Sequence, residues 1–447
     1  PTPHRICACA VKKLFKFFTL HFTFYFAIIK VMKITVSENL VALAKKLKKY
    51  APLYIVGGYV RNSLLGITPS DVDLASKLTP ERLAEILAGS KFEVKEISKK
   101  LGTITIRCGK EVWEHTTFRR DNYDSTGRHV PKNVDFVEDV REDAKRRDFT
   151  VNAIYYNILK DELVDVYSGV YDLQRRILRC VETPNFVFNS DGLRILRMVR
   201  FACELNFKID RATLNMARKM SYRLNDIVGS RKFSELVHIL NSPTKYSVSN
   251  KNADMRGLNY LNFLHAWPFL YVHSTYVKYK LSKKAEGETK FFALLIDIIN
   301  SVNPDCIEFY LKYLLGQDGF MLPKANIETI TKIICGYYDA LNKMNNKKYF
   351  FKYFNYFPKI SELLKIKSKF LYNKYYFFDY YIKKHKIPVH IKDLKIRGED
   401  LKKIKELPAK KYSLVLADLL DKVFDGLAND KDTLLKEVED GIRNNLY

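Results

Sequence analysis

An α+β fold is predicted, with a small mixed sheet in the first third of the chain and helices from there to its end. Three observations predict it. Strand-like alternation recurs in short segments between Leu53 and Phe118. After Asp172 the strand signals fade, and residues 189 to 207, 211 to 221 and 231 to 241 take up helical spacing. Within the first of these regimes stand the turn Gly57-Gly58 and, beyond it, the alternating pair Asp71-Val72-Asp73.

Taken in order, strand-like residues from Ile34 lead to a helix opened by Ser37, with Glu38 in its first turn. Leu53-Tyr54-Ile55-Val56 reads as a short buried strand, and Gly57-Gly58 turns it into a short helix over 60 to 65. Asp71 and Asp73 occupy alternate positions of the next strand, so both should project to one side. Two carboxylates held together repel unless something positive lies between them, and a divalent metal serves. Residues 92 to 96, 103 to 108 and 111 to 118 alternate as further strands, the last with Glu114, Thr116 and Phe118 on one face. Glu114 is therefore a candidate third carboxylate, with a purely structural role equally open.

Downstream, Arg146-Arg147-Asp148-Phe149-Thr150-Val151-Asn152-Ala153 offers an arginine to clamp triphosphate or ribose and a carboxylate to orient it as a bidentate pair. Asp165, Gly169 and Asp172 read as a turn and a helix start with a structural role. Asp191, Arg194, Arg197 and Arg200 then recur every third residue, and i, i+3 spacing sets Asp191 beside Arg194 on one helical face. An acceptor next to a donor imitates the pairing edge of a base; the plain alternative is an internal salt bridge.

These motifs together resemble the nucleotidyltransferase superfamily, and within it the tRNA CCA-adding enzyme and bacterial poly(A) polymerase family. The resemblance rests on the Gly-Gly-x-Val-Arg and Leu64-Leu65-Gly66 elements, Asp71-x-Asp73, the strand Glu114-x-Thr116-Thr117-Phe118-Arg119 and the octet 146–153. The loop Tyr123 to Pro131 resembles the flexible loop of members that add the terminal A, and 397–401 resembles a carboxy-terminal Gly-x-Asp-Leu element. Asn62, Ser190 and Ser230 depart from it, each standing where the family carries an acidic residue, and they put local packing and neck rigidity in question.

What the resemblance implies is a polymerase-β-like head followed by an all-helical neck, body and tail. Residues 32–165 form the head, 166–250 the neck with the base-reading helix, 251–387 the body and 388–447 an RNA-binding tail. The implied activity is template-independent addition of CCA to tRNA 3′ ends from CTP and ATP. Asp71 and Asp73 would hold Mg²⁺, Gly58 would admit phosphate, and Arg61 and Arg147 would counter its charge. Asp191 and Arg194 would choose the base, while Arg197 and Arg200 reach the phosphates or buttress the pair. The acceptor and TΨC arms of tRNA would lie on the helical remainder. A poly(A) polymerase or a partial CC- or A-adding enzyme is the alternative within the family, and a non-catalytic RNA-binding protein the alternative outside it.

Composition agrees with a polyanionic partner. Across 447 residues, 76 Lys and Arg against 50 Asp and Glu leave a formal net charge of +26. Seven scattered cysteines, with no pair of Cys-x-x-Cys units, suggest neither a disulfide framework nor a zinc site and fit reduced thiols in the cytoplasm. Residues 14 to 31 are apolar but broken by Lys16, His21 and Lys30, marginal for a membrane span. Met32 is read as the biological start and 1–31 as a leader or non-functional segment, with no membrane partner expected. Between 251 and 385 the interleaved Lys, Tyr and Phe are read as aromatic helix core with a solvated lysine face, RNA stacking being the other reading.

Overall fold

The first helix starts where its capping chemistry places it. Ser37 Oγ accepts a hydrogen bond from Leu40 N at 3.2 Å, and α1 (Glu38–Leu47) buries Leu40, Leu43, Ala44 and Leu47 along one face. The computed structural model describes residues 34–122, 133–246, 252–281, 285, 287–343, 353–384, 386–444 and 446–447. The segment 1–31 and the loop at 123–131 therefore lie outside the described residues.

The head is built on β1 (Tyr54–Val56), β2 (Asp73–Ser76), β3 (Glu93–Ser98), β4 (Thr103–Cys108) and β5 (Glu111–Thr117), with α2 (Gly58–Leu64) and α3 (Pro80–Leu87) between the early strands. A second pair, β6 (Arg119–Asn122) and β7 (Asn133–Phe136), leads through α4 (Val140–Lys145) to β8 (Ile154–Asn157) and β9 (Glu162–Asp165). The main sheet runs β3-β4-β5-β2-β1-β8-β9. It is mixed as expected: β2 and β5 are parallel, and the other neighbours are antiparallel.

One face of this sheet is core. Ile55, Leu74, Ile104, Ile106, Trp113 and His115 are buried there, and His115 Nε2 lies 2.9 Å from Ser76 Oγ. Burial pushes the His115 imidazole down to about 3, so it stays neutral in the folded chain while an unfolded histidine takes a proton below about 6.5. The unfolded state thus binds more protons, and stability is lost as pH falls from about 6.5 toward 3. From pH 7 to pH 5 this one group should cost the head about 2 kcal/mol. Urea unfolding at the two pH values checks this, and a His115→Leu variant should show a correspondingly smaller difference.

Past the head come α5 (Gly169–Arg175), β10 (Ile177–Leu178), α6 (Pro184–Ser190), α7 (Leu193–Glu204), β11 (Lys208–Ile209), α8 (Arg211–Lys219), α9 (Gly229–Lys245) and α10 (Ala253–Phe263). The structural role read for Asp165 and Asp172 has a visible basis. Asp165 accepts from Gly169 N and Val170 N at 2.7 and 2.9 Å, and Asp172 accepts from Thr150 Oγ1 at 2.8 Å. Gly169 is required at this junction, because a Cβ there would lie 2.2 Å from Thr150 O.

The remaining helices are α11 (Gly287–Val302), α12 (Ile307–Leu315), α13 (Lys324–Lys343), α14 (Phe357–Lys367), α15 (Lys369–Lys384), α16 (Gly398–Leu401), α17 (Tyr412–Phe424) and α18 (Lys431–Arg443). The chain divides into two compact units: residues up to 228 together with 242–266, and residues 229–241 together with 267–447. Within the second, Leu394, Ile396, Leu401, Val415, Leu419, Leu434 and Val438 form a core for the carboxy-terminal helices. The Gly398–Leu401 element is a helix start locked by its own chemistry, with Asp400 accepting from Arg397 N at 2.9 Å and paired with Lys431 at 2.6 Å. No described cysteine is in a disulfide, and burial pushes the Cys180 and Cys203 thiols up to about 12. No helix among the described residues is long and apolar enough to cross a membrane.

Candidate active site

Strand register lines up the acidic residues. Glu114 of β5 is opposite Asp73 of β2, Asp73 is opposite Val56 of β1, and Val56 is opposite Tyr155 of β8. Laterally paired residues share a face, so Glu114, Asp73, Val56 and Tyr155 form one row across four strands, about 4.8 Å apart at each step. The same face continues into an apolar floor of Val56, Ala75, Phe118, Ala144 and Tyr155. Glu114, Thr116 and Phe118 do share a face, as expected: Phe118 is in the floor and Glu114 is exposed at the other end. Asp71 precedes β2, is exposed, and accepts from Ser70 Oγ at 3.1 Å.

The glycine that shapes this row is Gly57. It follows Val56 directly, adopts φ +78°, and a Cβ there would sit 3.6 Å from Asp73 Oδ2 and 3.7 Å from Arg147 Nη1. That conformation favours glycine, and its missing side chain leaves the space between carboxylate and guanidinium open. Gly58, singled out from the sequence, is an ordinary first-turn residue of α2. The signal for Gly57 was its place directly after the buried strand.

Arg147 is held over the same row. Its guanidinium stacks on the Tyr155 ring at 5.1 Å, its Nε donates to Tyr155 Oη at 2.8 Å, and its Nη2 lies 3.5 Å from Asp143. Asp143, fully buried, accepts from Tyr155 Oη and, at 2.8 Å, from Arg146 Nε. Burial alone would raise the Asp143 carboxyl, but Arg146 and Arg147 reverse this and hold it below the usual carboxylate range. Asp143 was not singled out from the sequence. Its i+3 and i+4 spacing to Arg146 and Arg147 was the available signal.

The octet's carboxylate has a different partner from the one expected. Asp148 does not orient Arg146 or Arg147; it accepts from Arg197 Nε and Nη2 at 2.9 and 2.6 Å and from Asn152 Nδ2 at 3.1 Å. The reason is direction. Arg146 and Arg147 close the end of α4 and turn to Asp143, whereas Asp148 lies beyond it, within reach of α7. Arg197 therefore buttresses.

Arg61, expected at the triphosphate, is only 3% exposed. Its Nη1 donates to Asn152 Oδ1 at 2.6 Å and its Nε and Nη2 to Asn62 Oδ1 at 3.1 and 2.9 Å. Burial lowers its pKa. The fork is spent inside the protein, tying α2 to the octet. Arg61, Arg197 and Arg200 also converge on one ring, Phe201, at 5.1, 5.1 and 4.5 Å from its centroid. Phe201, which the reading of the sequence passed over, is thus the hub of these arginines.

The anticipated continuous helix over 189 to 207 is broken. α6 ends at Ser190, Asp191 is extended, and α7 begins at Leu193. The break lies at Asp191, for Gly192 is itself helical at φ −61°, ψ −26°, and a Cβ on Gly192 would lie 2.3 Å from Arg223 O. Asp191 and Arg194, 6% and 7% exposed, stand at this junction rather than along one helix face. Asp191 Oδ1 accepts from Leu193 N at 2.9 Å, and Arg194 donates to Arg146 O at 2.6 Å and to Ser190 Oγ at 2.9 Å. Two of the departing residues, Asn62 and Ser190, thus still accept from the arginines Arg61 and Arg194, which preserves local packing with neutral oxygens. Arg194 also lines a cavity of about 400 Å³ with Arg146, Phe186 and Asp121.

The carboxylate end suits a hard cation. Asp73 opens β2 as an exposed residue, yet desolvation of its carboxylate, then the charges of Glu114 and Asp71, hold it above the usual carboxylate range, with Arg147 opposing. Among the described residues no three His, Cys, Asp or Glu side chains form a ligand set by themselves. A cation here would take one or two carboxylates and complete its shell with substrate oxygens, the usual pattern for Mg²⁺.

Comparison with known proteins bears on this geometry. Residues 53–179 match the family model described as the poly A polymerase head domain. A CCA-adding enzyme of Lactococcus lactis subsp. cremoris is 40% identical over 190 residues, 42% of this chain and 46% of that protein. Poly(A) polymerase I of Salmonella typhi is 32% identical over 215 residues, covering 46% and 45%. The matches thus span about half the length of these curated relatives. Among solved structures, the Bacillus stearothermophilus CCA-adding enzyme in complex with CTP superposes with TM-score 0.62 at 20% identity, over 90% of this chain and 98% of that one. The Thermotoga maritima CCA-adding enzyme complexed with tRNA gives 0.61 at 21%, over 93% and 98%. The fold is shared along nearly the whole chain, and residues 53–179 are similar to the poly A polymerase head domain.

Proposed function

We propose that this chain, which carries a poly A polymerase head domain, is a template-independent tRNA nucleotidyltransferase that adds CCA from CTP and ATP. The observation that carries the proposal is the row that sets Asp73 beside Glu114, with Arg147 facing Asp73 across Gly57. Asp71 and Asp73 would hold Mg²⁺, with Glu114 alongside. When bound, the metal would neutralise the triphosphate and make the RNA 3′-hydroxyl more acidic. The 3′-oxygen forms a bond to the α-phosphorus as the bond to the bridging oxygen breaks; pyrophosphate leaves and the hydroxyl proton passes to solvent. Arg147 supplies positive charge to the phosphates, its fork pre-set by Tyr155 and Asp143, so little orientation remains to be fixed on binding.

Base choice is assigned to Asp191 and Arg194. Arg194 borders the cavity beside Phe186, and Asp191 lies at the break that positions α7. Arg197, Arg61 and Arg200, gathered on Phe201, act as scaffold joining α2, the octet and α7. The basic surface is assigned to the tRNA acceptor and TΨC arms, and the place of action to the cytoplasm. Transcripts of tRNA lacking CCA, incubated with CTP alone or ATP alone, test the reading. The expected products are two additions with CTP and no ladder with ATP; homopolymer growth on ATP alone favours a poly(A) polymerase.

A further inference from the structure

The α15 helix carries a feature outside the head's chemistry. One side of it is core: Tyr375 is buried, its ring 5.1 Å from Phe357 of α14, and Ile382 is buried with it. The other side is aromatic and open. Tyr372, Tyr376 and Tyr380 follow at i, i+4 and i+8; Tyr376 is 59% exposed and Tyr380 52%. At about 100° per residue, these three share with Lys369, Lys383 and Lys384 one arc of roughly 120°. This divides the reading made from the sequence: Tyr375 is helix core, whereas Tyr376 and Tyr380 are not.

Two of the rungs are in ring contact, and the row is flanked by cations. The Tyr372 and Tyr376 rings lie 6.3 Å apart at 37°. Lys365 Nζ is 5.6 Å from the Tyr372 ring and Lys384 Nζ 5.8 Å from the Tyr380 ring, so a lysine stands at each end. Beside the middle rung a cavity of about 430 Å³ opens between α14 and α15. Phe357 and Pro358 supply apolar wall, Tyr376 an exposed ring, and Asn355 and Asp379 hydrogen-bonding groups, with Lys383 held to Asp379 at 2.6 Å.

We infer that this face of α15 binds unpaired RNA, with bases stacked on the tyrosine ladder and one base lodged in the cavity. A flat π-face, a cation beside each end rung and a cavity with donors and acceptors are what a single strand asks for. Duplex RNA has its bases already stacked and offers none to the ladder. Charge favours this occupant, since the arc carries three lysines on a chain of net charge +26. The inference deepens the proposed function by naming a contact for an unpaired stretch of the RNA substrate.

The test uses the full chain without nucleotide or metal, a labelled uridine 12-mer and a 12-base-pair RNA duplex. Tyr376→Ala/Tyr380→Ala should weaken 12-mer binding about tenfold or more, from two lost stacking contacts. Tyr376→Phe/Tyr380→Phe should stay within about threefold of wild type, and duplex binding should be unchanged in both. Both side chains are exposed, so matching circular dichroism and melting will show the fold intact. Unchanged 12-mer binding in the alanine variant, equal loss toward 12-mer and duplex, or no 12-mer binding by wild type would each overturn the inference. Extension of CCA-less tRNA by the same preparations separates the two readings. A chain that binds the 12-mer through the ladder but extends nothing contradicts only the proposed function.

Discussion

Asp73→Asn is expected to reduce nucleotide addition on the order of 10³-fold while leaving the head folded and no less stable. The loss follows from removing the carboxylate that pairs in register with Glu114 and faces Arg147 across Gly57, which would hold the cation opposite the developing charge; single preorganised electrostatic groups are worth about this much. The stability half follows from the pKa direction. Asp73 is held above the usual carboxylate range by desolvation of its carboxylate and by Glu114 and Asp71, against Arg147. For an acid raised in the folded state, the charged form is the less stable one at neutral pH, so an uncharged amide relieves repulsion. Single-turnover extension and thermal melting of the same variant measure the two halves. A variant that loses activity by unfolding would contradict the assignment of Asp73 to chemistry.

Asp148→Ala is expected to act in the opposite way, through the fold first. Asp148 is buried and accepts from Arg197, Asn152 and the Phe149 amide. Burial would push its carboxyl up, but Arg197 and Arg194 with the Asn152 bond pull it well below the usual range. Breaking such a pair leaves an uncompensated charge and costs about 3–5 kcal/mol. The lower end applies, because the Arg197 side chain is 32% exposed and water screens part of the loss. The sign with pH is that of a depressed acid: the stabilisation is present above the unfolded carboxylate's pKa of about 3.9 and is lost as pH falls below it. Denaturant unfolding of the variant, reading the head transition, checks the magnitude. Because Asp148 joins α7 to Asn152 and thence to Arg61, base discrimination should fall along with stability.

Much of the head was legible because local patterns and global fold agree there. Strand alternation marked β4 and β5 almost to the residue, and Ser37 marked the start of α1. The acidic row was legible as types, since Asp73 and Glu114 sit on strands whose period is two. Pairing was not legible. Which carboxylate takes which arginine depends on where α4 ends: i+3 and i+4 spacing offered Asp143 to Arg146 and Arg147, but no local spacing could tell that Asp148 turns to Arg197. Arg61 looked like a phosphate ligand because a basic residue after a glycine turn has that chemistry; only the packing of Asn62 and Asn152 around it reveals a buried brace. The break at Asp191 was hidden because the three-residue spacing from Asp191 to Arg194 continues into the arginines of α7, and the close approach of Gly192 to the Arg223 backbone is long-range. On α15 composition was ambiguous between core and stacking surface, and the helix divides its tyrosines between the two.

The proposed function implies that a single protein site, with no nucleic-acid template, determines both the identity and the number of added nucleotides. The most direct measurement is sequencing the 3′ ends of CCA-less tRNA after incubation with this chain, Mg²⁺, CTP and ATP together. Ends reading C-C-A and stopping there are predicted. Runs of A, or ends unchanged under conditions in which the protein is folded and binds the tRNA, would contradict it.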